Sequence, residues 1–155
     1  MKIRKAKKED LKDINRIYIE ATIDEVKIQF PKRSKQSVIK ELEKWEKVRL
    51  KDFRKEIDAE NNIWLVVEVN GKVIGFANAD INKKKEGRFT MLYLEKKFRG
   101  KGIGKKLTRK RLQWMKSKKA KKIEAGPYIK NKRSISNLKN FGFVPISIKM
   151  VKEFK

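Results

Sequence analysis

The sequence predicts an α/β (α+β) fold with a mixed central sheet, and three observations carry that prediction. Strand-like and helix-like runs follow one another in the order β-α-α-β-β-β-α-β-α-β. Two apolar runs meet at Asn70-Gly71, a hairpin signal because both central residues of a type I′ turn need positive φ. A further strand-like run, Thr90 to Leu94, leads into Arg99-Gly100-Lys101-Gly102-Ile103-Gly104 at the head of a helical pattern.

Taken in order, Lys2 to Ala6 is a short strand. Asp10 stands as an N-cap before Leu11, Ile14, Ile17, Tyr18 and Ala21 at helical spacing. Pro31 interrupts the chain. Val38, Leu42, Trp45 and Val48 then form one helical stripe, and Phe53 and Ile57 extend the helix to about Asp58. Ile63 to Val69 and Val73 to Ile81 are rich in β-branched residues and form the hairpin, Asn82 to Gly87 is a charged turn, and the fourth strand runs from about Arg88 to Leu94. On the next helix Ile103, Leu107 and Trp114 share a face, with Leu112 roughly opposite. Ile123 to Ile129 reads as strand five, with Glu124, Gly126, Tyr128 and Lys130 on one side of it. A short helix near Arg133 to Asn140 ends at Gly142, and Phe143 to Val151 supplies the last strands.

At 155 residues the chain holds one domain, 1–155, with a real core and too little for a second. It has neither Cys nor His, which removes disulfides, the usual zinc sites, thiol nucleophiles and His-based triads. Chemistry is left to carboxylates, Tyr, Ser/Thr, Lys and backbone amides, with no metal. No apolar run approaches the roughly 18 residues of a membrane span, and the start of the chain lacks an apolar h-region, so a soluble cytoplasmic protein is expected. The 44 Lys+Arg against 19 Asp+Glu give +25, a field that attracts polyanions non-specifically at low salt. A Lys-heavy source proteome would produce part of that excess without any such partner.

The glycine stretch joins a strand to a helix start, where bare N–H groups converge and the helix dipole adds positive potential, so it suits a phosphate. It fits neither the P-loop nor the dinucleotide spacing of glycines. Arg99, Gly102 and Gly104 fit Arg-x-x-Gly-x-Gly, and with them the chain resembles the GNAT superfamily of N-acetyltransferases. Asn131, a short helix and Phe141-Gly142-Phe143 look like that family's closing Asn…Gly-Phe, so the resemblance spans the whole chain.

The resemblance implies a GNAT fold in which strands four and five splay, acetyl-CoA as co-substrate, and an amine acceptor attacking in a ternary complex. It places acetyl-CoA against Leu92, Tyr93 and Leu94, against Arg99, Gly100, Lys101, Gly102, Ile103, Gly104 and Lys105, and against Asn131. The backbones of Leu92 and Leu94 would pair with the pantetheine arm, their side chains remaining in the core, as would those of Met91 and Tyr93. Homodimers are compatible with the resemblance.

The chain departs from the family's usual catalysts: Leu138 stands where many members have Tyr, and Gly126 where others have Glu. Strand parity offers Tyr128 as acid and Glu124 as base, with Asp80 and Glu20 as further candidates and catalysis by orientation alone still open. The positive field disfavours a polycationic acceptor and favours an amine that also carries an anionic group, or one on an RNA-bound protein; an acidic pocket of Glu20, Asp24 and Glu25 would reverse this. Other acyl-CoA donors and aminoglycoside-like acceptors compete within the enzyme class. Outside it stands a catalytically inactive basic module that binds RNA or ribosomes.

Overall fold

The chain follows the expected order up to its last helix except that the second helix is divided in two, in a computed structural model that describes residues 1–152. The elements are β1 (Lys2–Lys5), α1 (Leu11–Gln29), α2 (Lys35–Lys44), α3 (Glu46–Asp58), β2 (Asn62–Val69), β3 (Lys72–Ile81), β4 (Glu86–Leu94), α4 (Ile103–Ser117), β5 (Lys122–Ala125) and α5 (Lys132–Lys139). The five strands lie in chain order, antiparallel except for the parallel pair β4–β5. Asn70 and Gly71 turn the β2–β3 hairpin with φ of 50° and 75°.

Alternation along the strands gives the sheet two apolar faces. Trp64, Val66 and Phe76 pack against Leu11, Ile14, Ile17 and Phe53 of α1 and α3. On the opposite face Leu65, Val67 and Ile74 meet Leu107 and Met115 of α4 and Leu138 of α5. Gly75 and Gly87 mark close approaches: a Cβ at Gly75 would lie 2.3 Å from Leu94 Cδ2, and one at Gly87 2.5 Å from Met115 Sδ.

Several boundaries differ from the sequence expectation. α1 continues two turns past Ala21 and stops where Pro31 drives Phe30 out of helical geometry, to φ −129° and ψ 71°. Asp10 does not cap it. Its carboxylate instead accepts from Lys7 N–H at 2.7 Å and from both Arg4 Nη atoms at 2.7 and 2.8 Å, and Arg4 holds the carboxyl below the usual range. The long second helix is two helices broken at Trp45, and both Trp45 and Val48 face solvent. The buried stripe of α3 runs through Arg49 and Phe53; Arg49 reaches back to the carbonyl of Leu42 (3.0 Å) and to Asn15 Oδ1 (2.9 Å), tying the two helices together.

β5 ends at Ala125, not Ile129, because Gly126-Pro127 cannot sustain the ladder. The last strands do not form among the described residues. Val144, Ile146, Ile148, Met150 and Val151 are exposed and irregular; β5 offers only four residues of edge, and Pro145 has no donor for a ladder.

Candidate active site

The sheet opens between β4 and β5. They pair from Glu86↔Lys122 to Phe89↔Ala125 and then part, β5 at Gly126-Pro127 and β4 at a bulge. The register of β3 against β4 slips by one between Ala77 and Ala79, so that Thr90 and Met91 together oppose Asn78. Side chains close the gaps this leaves: Asn78 Oδ1 accepts from Met91 N–H at 3.0 Å, and Arg111 Nη1 donates to the carbonyls of Asn78 (3.2 Å) and Met91 (3.3 Å). Arg111 also donates to Thr108 and lies 4.0 Å from the ring centroid of Phe89. Buried, and with no ion pair among the described residues, its guanidinium is pushed down to about 9 and remains a cation at neutral pH.

Beyond the bulge, Glu95 N–H donates to Ile74 O at 2.9 Å. Antiparallel pairing alternates, so the peptide groups of Leu92 and Leu94 turn away from β3 toward the gap, where β5 has already left. Their side chains pack in the core on the α4 face.

The glycine loop begins where this strip ends. Arg99 Nε donates to Leu94 O at 2.8 Å and Nη1 to Asp24 at 3.1 Å, fixing the loop to β4 and α1. Gly100 and Gly102 have φ of 82° and 75°, which glycine adopts without steric cost. Among the described residues no group accepts from the N–H of Gly100, Lys101, Gly102, Ile103, Gly104 or Lys105. These six consecutive donors sit at the positive end of α4, whose first turn contains no acid.

A cleft of about 120 Å³ runs through the opening and is lined from both faces of the sheet. On the α1 side Glu25 accepts from Tyr93 Oη at 3.1 Å and from Asn131 Nδ2 at 3.3 Å; Asn131 Oδ1 in turn caps α5 through Ser134 N–H at 3.0 Å. Burial, with the Glu25 charge added, raises the Tyr93 phenol above its ordinary range, so it stays protonated and donates to Glu25. Tyr128 lines the same cleft, half exposed. Asn137 donates to Thr108 at 2.8 Å, leaving its own Oδ1 buried without a partner at the cleft's floor.

Leu138 and Gly126, where the usual catalysts are missing, both line the cleft. Glu124 does not. Parity along β5 places it beside Tyr128 only if the strand continues; with the strand ended at Ala125 it lies on the surface paired with Lys122, which lowers its carboxyl pKa. Asp80 pairs with Arg88 at 3.0 Å and Glu20 with Arg16 at 3.6 Å, both away from the cleft lining. With Asp24 held by Arg99, the three-carboxylate pocket is not assembled, and Glu25 is the carboxylate that faces the opening. Arg111 has no site role in the sequence reading, and Glu25 enters it only as one of three carboxylates of an acceptor pocket. Glu25 falls at the cleft because α1 outruns its apolar pattern; Arg111 occupies the buried stripe Ile103, Leu107, Arg111, Met115, which an apolar count skips.

A parallel strand pair that splays beside a glycine loop at a helix start is the arrangement that the resemblance to the acetyltransferases implies. The chain belongs to the Acetyltransferase (GNAT) family, whose family profile matches residues 16–143. It is 32% identical over 120 residues to an uncharacterized N-acetyltransferase of Archaeoglobus fulgidus, covering 74% of this chain and 73% of that one. It is 28% identical over 147 residues to an uncharacterized N-acetyltransferase of Methanocaldococcus jannaschii, covering 91% of this chain and 59% of the relative, so it spans less than two thirds of that protein. The PaiA N-acetyltransferase from Thermoplasma acidophilum, solved in complex with coenzyme A, has the same fold with a TM-score of 0.81 at 21% identity, over 96% of this chain and 92% of that one. No helix among the described residues is long and apolar enough to cross a membrane.

Proposed function

We propose that the protein transfers an acetyl group from acetyl-CoA to a primary amine by direct attack in a ternary complex. The observation that carries this is the continuity of unsatisfied donors, from the peptide groups of Leu92 and Leu94 to the six free amides of Gly100 to Lys105. The loop amides, with Lys101 and Lys105, hold the diphosphate; the Leu92–Leu94 strip pairs with the pantetheine arm as a strand would; and the N–H of Leu94 or Leu92 faces the thioester oxygen as charge develops on it. Arg99 serves by locking the loop to Leu94 and Asp24, and Asn131 by locking α5 to Glu25.

The amine enters from the α1 side, where Glu25 takes its proton directly or through one water. Tyr93 orients that carboxylate. Tyr128, which lines the same cleft, protonates the departing thiolate. Among the described residues Glu25 is the one carboxylate that lines the cleft, too little to offset the +25 field, so the acceptor is a monoamine that also carries an anionic group, or an amine on an RNA-bound protein.

Calorimetric titration with acetyl-CoA, followed by a thiol-release screen over amines, tests the proposal. Micromolar binding and amine-dependent thiol release are expected, with an anionic amine outpacing spermidine. Absence of acetyl-CoA binding refutes the reading.

A further inference from the structure

Charge is divided unevenly along the chain, and the fold turns that division into a face. Residues 1–95, which build α1 to α3 and β1 to β4, carry 23 Lys+Arg against 17 Asp+Glu. Residues 96–152, which build α4, β5 and α5, carry 20 against one, Glu124, and so hold +19 of the chain's +25. A basic composition inherited from a Lys-rich proteome would raise both stretches alike. Here the excess sits on the α4–α5 side of the sheet.

On α4 itself Lys105, Lys106, Arg109, Lys110 and Lys116 are exposed, the helix contains no acidic residue, and among the described residues none of these five makes an ion pair. Arg4, Arg16, Arg33, Arg88 and Arg99, by contrast, all have carboxylate partners. Lys105 with Arg109, and Lys106 with Lys110, are like-charge neighbours four residues apart, which works against the helix unless an anion lies over them. The row from Lys105 to Lys116 is about 17 Å long at 1.5 Å per residue. Beside it Met1, Ile3, Lys106, Arg109, Lys110 and Gln113 line a groove of about 380 Å³.

We propose that this face binds nucleic acid through its phosphates, without reading bases. A straight row of cations beside a groove matches a phosphate backbone. The exposed side of α4 presents no large apolar group to enter a bilayer, since Leu112 and Trp114 are half-buried against the core, and no aromatic platform for unstacked bases. The inference stands apart from acetyl transfer, although an acceptor carried on RNA would be brought to the enzyme by it.

The test is fluorescence anisotropy of the full chain with a labelled RNA duplex of about 20 bp, between about 50 and 300 mM salt. With Lys105 left to the coenzyme A diphosphate, four neutralised phosphates predict a log–log slope near −3.6, with duplexes of unrelated sequence binding within about threefold of one another. R109Q/K110Q/K116Q on α4 reduces that slope by about 2.7 and weakens binding at least about tenfold, whereas K40Q/K47Q/K51Q on α2 and α3, an equal change in net charge, shifts the slope by less than about 1. The α4 variant keeps its wild-type melting curve and coenzyme A affinity, which separates this result from any failure of the transferase reading. Equal effects of the two triple variants, a wild-type slope shallower than about −2, or tighter binding to phosphatidylglycerol vesicles than to the duplex overturns the proposal.

Discussion

Replacing Gly102 with Ala isolates the contribution of the loop's shape to coenzyme A binding. At φ 75°, with nothing within 4 Å of the added Cβ, the substitution introduces no clash and acts only through backbone conformation. A non-glycine residue in the left-handed region costs about 1–2 kcal/mol. An exposed loop relieves that cost by relaxing, and coenzyme A must then restore the original shape, so affinity falls about 5- to 30-fold while global stability falls by less. Gly142→Ala is the matched control: φ is 83°, the Cβ site is equally open, and Phe143 beside it packs on Phe89, about 17 Å along β4 from Leu94 where the loop begins. That variant loses a similar increment of stability and keeps its coenzyme A affinity within about twofold. Isothermal titration calorimetry and urea unfolding read the two quantities separately. If Gly102→Ala binds coenzyme A as tightly as the wild type, or Gly142→Ala weakens it equally, the loop's amides are not the grip.

Glu25→Gln lowers kcat by at least about 10²-fold, with KM for acetyl-CoA little changed, because the amide still accepts from Tyr93; steady-state thiol release measures this. Tyr128→Phe lowers kcat for thiol release by about 10²-fold, and an unchanged kcat excludes it as the acid. Asp10→Asn removes a carboxylate held below its ordinary pKa, mainly by Arg4, so wild-type stability from this pair is present above about pH 4 and lost as pH falls below it. The substitution costs about 1–3 kcal/mol in urea at neutral pH, discounted for the partial exposure of Arg4, and little at pH 2. Tyr93 works in the other sense: its phenol is raised in the folded state, so stability falls as pH rises above about 10, and ultraviolet absorbance will show one of the three tyrosines ionising only on unfolding.

Much of this architecture was legible where local chemistry decides it. Asn70-Gly71 dictates its own turn with positive φ at both residues. The central strands followed because burial on both faces enforces β-branched runs. What local pattern could not supply was tertiary. The break at Trp45 depends on Arg49 reaching across to Leu42 and Asn15, and the end of β5 moved the parity on which Glu124 rested. The bulge that opens the sheet is secured by Asn78 and Arg111, two polar residues whose burial no periodicity announces. Glu25, expected only as part of a three-carboxylate acceptor pocket, is the carboxylate that lines the cleft because α1 runs past its apolar stripe while Arg99 holds Asp24.

The central claim is that coenzyme A is held by main-chain donors at the β4 edge and the head of α4. Amide resonances of the isotopically labelled protein, followed by NMR during titration with coenzyme A, test it most directly. The account predicts saturable shifts at Leu92, Leu94 and Gly100 to Lys105, with the α2 and α3 amides unmoved; saturation with the loop amides unshifted and the changes elsewhere would contradict it.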